Sequence, residues 1–416
     1  MLLVTIPTLC LLAFINYRVG GKMLFYPPVV FCGVWALDMS IAWVAQDFFY
    51  RLSPETSAVV LCGAVAFSIG CWVGVFLPEW NTKAKLASRE SSDRIITVLF
   101  FVVIVGVPFF VRWVYGLVVS AGVVGPFLML ARAGVVSEEG HSLTFTLFGT
   151  LIELAGTVAL IAFYEREQHR KRAVLAIAIA LSMGIFIGQK VGPLSLLMGL
   201  IWLDWLKTRR LRWKLVLGLL LILITVAATL EFYVHLGGDS LEERATPILQ
   251  NLALYASGGV VGLDRLLREP NSIPPSNPFY ATYSRIVRRL GGHIDVPPQS
   301  RDFIAIGPRS LNNVYTMYGE YLFLGYFGAI LLTAVIGLLV TLIYKRALQG
   351  GIIAIFLYSG LFTGVVFGAF TDYFLAVYLF SKLCLIVWLV YRLPVRWAQF
   401  KTMVRRSVNA ELVKAQ

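Results

Sequence analysis

Eight arginines and no lysine stand between Leu236 and Tyr318: Arg244, Arg265, Arg268, Arg285, Arg288, Arg289, Arg301 and Arg309. Seven acids share the stretch, Asp239, Glu242, Glu243, Asp264, Glu269, Asp295 and Asp302, so the segment is nearly neutral. A surface made for bulk positive charge would use lysine as readily. Arginine is preferred where a planar, two-pronged donor must meet a phosphate or a carboxylate. Two or three converging guanidiniums would hold a pyrophosphate, with its several charges and acceptor oxygens. Paired salt bridges to the seven acids are the plainer reading of each arginine taken singly. Lys190 and Arg132 add two cations at the ends of apolar runs. A charge at a helix centre costs about 2.5–3.5 kcal/mol to insert, so Lys190 either snorkels to the interface or lines a cavity. If a hydroxyl must lose a proton nearby, Asp264, Glu320, Asp239 and His293 are the candidate bases. Tyr255, Tyr315 and Tyr318 are of the type that stacks on sugars, or that anchors at a membrane interface.

The elements that would carry these groups can be read from spacing. Ser240-Leu241-Glu242-Glu243 has the form of a capping box. Leu241, Ala245, Ile248, Leu252 and Tyr255 then recur at helical spacing and predict an amphipathic helix. Gly258-Gly259 is expected to interrupt it. A second short helix should put Arg265 and Arg268 on one face, with Asp264 paired to Arg268 one turn on. The proline-rich Pro270–Pro278 reads as irregular. Phe279–Leu290 reads as a third helix on which Arg285 lines up with Arg288 and Arg289, ended by Gly291-Gly292. The remainder to Arg309 reads as loop.

The rest of the chain is a solvent-averse frame for that segment. With 58% hydrophobic and 14% charged residues and a mean hydropathy of +0.77, it departs from the soluble balance of about 25% charged. An all-α polytopic membrane protein follows. A helix needs about 20 apolar residues to cross the hydrocarbon. That criterion predicts about eleven spans, near 1–17, 24–45, 57–78, 95–119, 142–164, 173–189, 191–206, 215–235, 319–343, 352–371 and 374–392. The sixth and seventh meet in a tight junction at Gly188–Pro193. The organisation is thus eight spans over 1–235, a large loop over 236–318, three spans over 319–392 and a basic tail over 393–416.

The formal net charge of +13 is not a nucleic-acid footprint. Of the 36 lysines and arginines, 23 fall on one set of alternate connections and the tail; outside the long loop the opposite set has three. The positive-inside rule then puts the C-terminus inside, the N-terminus outside and the long loop on the extracytoplasmic face. The five cysteines, Cys10, Cys32, Cys62, Cys71 and Cys384, all lie within apolar runs and suggest no disulfide framework or metal spacing. Met1–Ile15 lacks a basic start and a small-residue cleavage site, and reads as a retained first span. No phosphate-binding glycine loop occurs, and no cofactor is expected.

Two passages resemble a known family. Tyr255-Ala256-Ser257-Gly258-Gly259-Val260-Val261-Gly262-Leu263-Asp264-Arg265 resembles the Tyr…Gly-Gly…Asp segment of oligosaccharide repeat-unit polymerases, the Wzy-type O-antigen polymerases. Asn312-Asn313-Val314-Tyr315-Thr316, followed by Gly325 and Gly328, resembles their Asn-Val-Tyr-Thr block. Lys190 stands where the wider polymerase and ligase superfamily usually has an arginine. One position departs: many members have an acid where this chain has Phe323, and Glu320 is the nearest carboxylate.

The resemblance implies a GT-C-like, metal-independent glycosyltransferase of the inner membrane with its active site facing the periplasm. The donor would be a glycan on undecaprenyl pyrophosphate, and the acceptor a lipid-linked repeat unit. Separate chain-length-determinant and flippase proteins are the implied partners, beside membrane lipid. On that reading Lys190, Arg132, Arg244, Arg285, Arg288 and Arg289 are the candidate pyrophosphate ligands. Arg265, Asp264, Glu320 and His293 are the candidate catalytic groups, and Tyr255, Asn313 and Tyr315 the candidate glycan contacts. An O-antigen ligase and a lipid-oligosaccharide flippase are the alternatives. The ligase family typically shows a histidine beside Asn or Ser near the end of its loop. Here His293 precedes Ile294 and Asp295, and the loop ends in Asn-Val-Tyr-Thr. A flippase would show repeat symmetry and more mid-span charges.

Overall fold

The apolar runs fold as helices almost wherever the hydropathy expects them. The computed structural model describes residues 2–78, 89–120, 143–165, 167, 170–186, 191–214, 216–218, 221, 241–269, 277, 279–280, 283–284, 287, 292–295, 303–308, 310–374 and 377–393. The helices are α1 Leu2–Val19, α2 Pro27–Val44, α3 Pro54–Phe76, α4 Arg89–Ser120, α5 Leu143–Tyr164, α6 Arg170–Phe186, α7 Val191–Thr208, α8 Leu241–Arg268, α9 Thr316–Tyr321, α10 Gly325–Leu348, α11 Ile352–Phe367 and α12 Val377–Tyr391. A short antiparallel hairpin, β1 Ile304–Gly307 and β2 Ser310–Asn312, lies between α8 and α9. Among the described residues six helical stretches are long and apolar enough to cross a membrane. The chain is a helical multi-pass membrane protein. Most of the expected eighth span and all of the tail beyond 393 lie outside the described residues.

The chain divides into two compact units. One comprises Met1–Pro78, Glu231–Arg346 and Gly360–Val377, and so gathers α1–α3, α8, the hairpin, α9 and most of α10. The other comprises Glu79–Leu230, Ala347–Ser359 and Tyr378–Gln416, with α4–α7 and α12.

In the first unit α3 and α10 touch through glycine. A Cβ on Gly70 would sit 1.9 Å from the Ala334 carbonyl oxygen, and one on Gly337 would sit 2.3 Å from that of Phe67. Small residues let the backbones meet, which is how helices gain dispersion contact where lipid removes the hydrophobic drive. Lys345, in the last turn of α10, donates to the carbonyls of Gly74 (3.3 Å), Val75 (2.8 Å) and Leu77 (3.0 Å), closing the C-terminal end of α3 with the charge its dipole favours. Between α1, α2 and α3 a buried polar node forms. Asn16 donates to Ser68 Oγ (2.9 Å) and accepts from Trp72 Nε1 (2.8 Å), so these polar groups are paired within the apolar frame. Phe31 stacks on Phe67 at 4.0 Å between ring centroids and Trp35 on Tyr318 at 4.7 Å.

In the second unit Trp202 anchors α7, fully buried, with its indole Nε1 donating to the Ile355 carbonyl (3.2 Å). The junction between the sixth and seventh spans separates two helices, and a Cβ on Gly184 would come 2.8 Å from Pro193 Cδ. Pro193 lies in the first turn of α7, where its missing N–H costs nothing.

Two expectations for the long segment are corrected. Gly258-Gly259 does not break the helix, because α8 runs unbroken from Leu241 to Arg268. Its glycines are contact points. A Cβ on Gly259 would lie 2.4 Å from the Ala369 oxygen, and one on Gly262 would lie 2.2 Å from the Val314 oxygen. Partners packed against the missing side chains outweigh the helix propensity cost of about 1 kcal/mol per glycine. The stretch before Arg309 is not wholly loop, since Ile304–Gly307 pairs with Ser310–Asn312.

Candidate functional site

The last two turns of α8 face the connection between α2 and α3 across a cavity of about 480 Å³. Its lining is Tyr50, Arg51, Leu52, Ser53, Pro54, Val261, Asp264, Arg265 and Arg268, all within the first unit. That size falls in the usual range for small-molecule sites.

The sequence places the polar groups there for local reasons. Ser53 is the N-cap of α3, its side chain accepting from Thr56 N (3.2 Å), and Pro54 begins the helix. The helix therefore starts a few residues before the expected 57. Tyr50 N donates to the Ile306 carbonyl (2.9 Å), fastening the connection to β1. Behind it Ala45, Phe49, Val261 and Ile306 form a small buried cluster that sets α8 against the end of α2.

Asp264 is the node that joins the two sides. It is 2% exposed; Oδ1 accepts from Ser53 N (2.6 Å) and Thr56 Oγ1 (2.7 Å), and Oδ2 pairs with Arg268 Nε (2.8 Å). Its partners at the start of α3 lie 211 and 208 positions away in the chain. The Asp264–Arg268 pair has the expected one-turn spacing. Arg268 also donates to the Arg51 carbonyl. A carboxylate with three donors is held in place. Asp264 thus acts as a positioning residue. Asp264→Ala should destabilise the protein by about 3 kcal/mol, because it strands Ser53 N–H, the Thr56 hydroxyl and the Arg268 charge at once. Thermal unfolding in detergent measures this, and an unchanged midpoint would contradict it.

The other two guanidiniums are freer. Arg265 pairs with Glu269 at one-turn spacing (2.8 Å) and lies over the Tyr50 ring, 5.7 Å from its centroid. Arg51 is exposed, and its side chain has no salt bridge among the described residues. Arg51 and Arg265 are therefore the donors that an incoming anion can recruit; Arg268 is already committed.

The two passages that carry the family resemblance pack on one another beside this cavity. Asn312 Nδ2 donates to the carbonyls of Gly258 (2.7 Å) and Val314 (2.6 Å), and its Oδ1 accepts from Val314 N (3.2 Å). Thr316 follows in the left-handed region at φ 60°, costly for a β-branched residue. It is held there by Thr316 N to the Phe370 carbonyl (3.1 Å) and Met317 N to that of Gly368 (2.9 Å). Asp372, in the same connection after α11, accepts from the Tyr321 hydroxyl (2.6 Å) and from Phe374 N (2.9 Å).

Other expected site residues fall differently. Tyr315 is fully buried against Leu266, so it is a core residue and not a glycan platform. Tyr318 is likewise buried, against Trp35. Asn313 and Glu320 are half-buried and His293 is exposed; none of the three lines the cavity. Arg244 and Tyr255 belong to α8, but their side chains, like Lys190, Arg132, Arg285, Arg288 and Arg289, lie outside what is described.

Arg51 and Tyr50 were not singled out by sequence reasoning. The available signal was the run Arg51-Leu52-Ser53-Pro54-Glu55, a single cation between Asp47 and Glu55 directly before a Ser-Pro helix start. Comparisons with protein-family models, curated proteins and solved structures return no match to this chain.

Proposed function

We propose that the chain is a repeat-unit polymerase of the O-antigen type, a GT-C-like glycosyltransferase of about eleven spans working on the periplasmic face of the inner membrane. The single observation that carries the reading is the packing of its two family-like passages. Asn312 is hydrogen-bonded to Gly258, and about two to three turns further along the same helix Asp264, Arg265 and Arg268 meet Arg51 at the cavity.

In this reading the acceptor hydroxyl oxygen forms a bond to the donor's anomeric carbon as the anomeric carbon–phosphate oxygen bond breaks. The hydroxyl proton passes to a base, and undecaprenyl pyrophosphate leaves with the bonding pair. Charge develops on the departing pyrophosphate, so the groups that lower the barrier are cations already aimed at it. Arg51 and Arg265 supply them, Arg268 and Asp264 hold the frame, and Lys190 and the remaining loop arginines are further candidates. Glu320 and His293 are the candidate bases among the described residues; Asp264 is spoken for. The donor's energy lies in its phosphate–sugar bond, so no nucleotide is consumed.

The test uses purified protein with a synthetic undecaprenyl-pyrophosphate-linked repeat unit in the presence of EDTA. A product ladder stepping by one repeat, with undecaprenyl pyrophosphate released in equal amount, is expected. Failure to extend the unit, with or without divalent metal, would contradict the polymerase reading. Extension only when metal is restored would contradict the arginine-based mechanism.

A further inference from the structure

Three aromatic residues of a helical stretch within the long loop face outward. Phe279, Tyr280, Tyr283, Ser284 and Val287 are helical. Asn277 Oδ1 accepts from Tyr280 N (3.0 Å) at the start, and Gly292 N donates to the Val287 carbonyl (2.9 Å) at the end. By sequence the stretch 279–290 separates cleanly at 100° per residue. Phe279, Tyr280, Tyr283, Ile286, Val287 and Leu290 fall in one arc, and every serine, threonine and arginine falls in the other.

In water such a helix would bury the aromatic arc and expose the polar one. Here Ser284 is fully buried, while Phe279 is 49%, Tyr280 43% and Tyr283 57% exposed. The aromatic arc also joins a second exposed surface. Phe327, Leu331, Val335 and Leu339 of α10 recur every fourth residue and are 80%, 54%, 42% and 52% exposed. A ridge of that kind on a membrane-spanning helix faces acyl chains. Phe323 stands four residues before Phe327, in the short 3-10 turn Leu322–Leu324 that leads into α10, and Phe279 meets its ring edge-on at 6.0 Å between centroids. The aromatic side of the loop helix thus caps the outer end of the lipid-facing ridge.

We infer that the helix beginning at Phe279 lies in the membrane interface, with Phe279, Tyr280 and Tyr283 inserted at the boundary between headgroups and acyl chains. The occupant of this surface is the bilayer itself. Aromatic residues with a polar tip favour that depth, and an amphipathic helix parallel to the surface buries its apolar face by about 5–10 Å. The long loop is then tethered to the membrane partway along its length. This inference does not depend on the proposed reaction, since lipid contact is read without any glycan.

The test is photocrosslinking in the full-length chain, reconstituted into phosphatidylethanolamine–phosphatidylglycerol vesicles carrying an alkyne-tagged phosphatidylethanolamine. Benzoylphenylalanine replaces, in separate proteins, Tyr283, Asp295 as an exposed polar position of the same loop, and Phe327 as a position on the lipid-facing ridge. Tyr283 and Phe327 should give lipid adducts several-fold above Asp295. A Tyr283 yield no higher than that of Asp295, with Phe327 labelled, overturns the inference. So does a Tyr283 crosslink to a second copy of the chain in place of lipid. Because the position is exposed, the substitution leaves packing intact, and labelling at Phe327 verifies insertion in each preparation.

Discussion

Replacing Arg51 and Arg265 with alanine should each slow chain extension by about 10²–10³-fold, while leaving thermal unfolding of the detergent-solubilised protein unchanged. The magnitude is that of removing one preorganised donor from a developing negative charge. The separation of activity from stability follows from their contacts. Among the described residues Arg51 is exposed and without a salt bridge, and Arg265 has only a one-turn pair with half-exposed Glu269 and the face of Tyr50. Surface pairs of that kind contribute about 0–1 kcal/mol. Arg268→Ala should show the opposite pattern. It removes the partner of a buried carboxylate and a tie to the Arg51 carbonyl, so the unfolding temperature falls along with activity. Arg265→Lys should recover only part of the rate, because a single ammonium cannot grip two phosphate oxygens as a guanidinium does. Full activity in the Arg51→Ala and Arg265→Ala proteins would remove this cavity from the mechanism.

Gly262→Ala should destabilise the protein and abolish extension, against the direction that helix propensity alone dictates. Alanine in place of glycine inside a helix gains about 1 kcal/mol when nothing is near. At Gly262 the new Cβ would fall 2.2 Å from the Val314 oxygen and 2.8 Å from Asn312 Nδ2. One is backbone and the other is a side chain bonded to two carbonyls, so neither yields cheaply. Overpacking of this sort costs about 1–3 kcal/mol. It also pushes the 312–316 segment from α8, disturbing the helix one turn from Arg265. Gly33→Ala in α2, where a Cβ meets nothing within 4 Å, is the control and should raise the unfolding temperature slightly while leaving extension unchanged. The sign of the Gly262→Ala change in unfolding temperature decides between a packing role and a mere flexible joint.

Hydropathy made the frame legible because lipid imposes one rule on every span: backbone groups must be satisfied within the segment. Arginine usage also pointed to the end of α8 that lines the cavity. The Asp264–Arg268 pair was readable because one-turn spacing is a local property. The other half of the cavity was not readable. Ser53, Thr56 and Arg51 reach Asp264 and Arg268 across more than 200 positions, a pairing that no local periodicity encodes. The glycines misled for a related reason. Gly258 and Gly259 look like a break in isolation, and only the approach of Asn312 and of the 369–370 backbone shows why side chains are excluded there. Tyr315 misled because aromatic type does not reveal burial; its ring fills the space beside Leu266.

The central claim is that the chain joins lipid-linked repeat units. A gel of lipid-linked glycans, from cells lacking this protein and from the same cells after its return, tests that most directly. Single-repeat products in its absence and a ladder on its return are predicted, with the ladder lost again when Arg51 and Arg265 are both replaced by alanine. Long chains left unjoined to their final acceptor in its absence would instead mark a ligase. Repeat units trapped on the cytoplasmic face would mark a flippase, and either result would contradict the account.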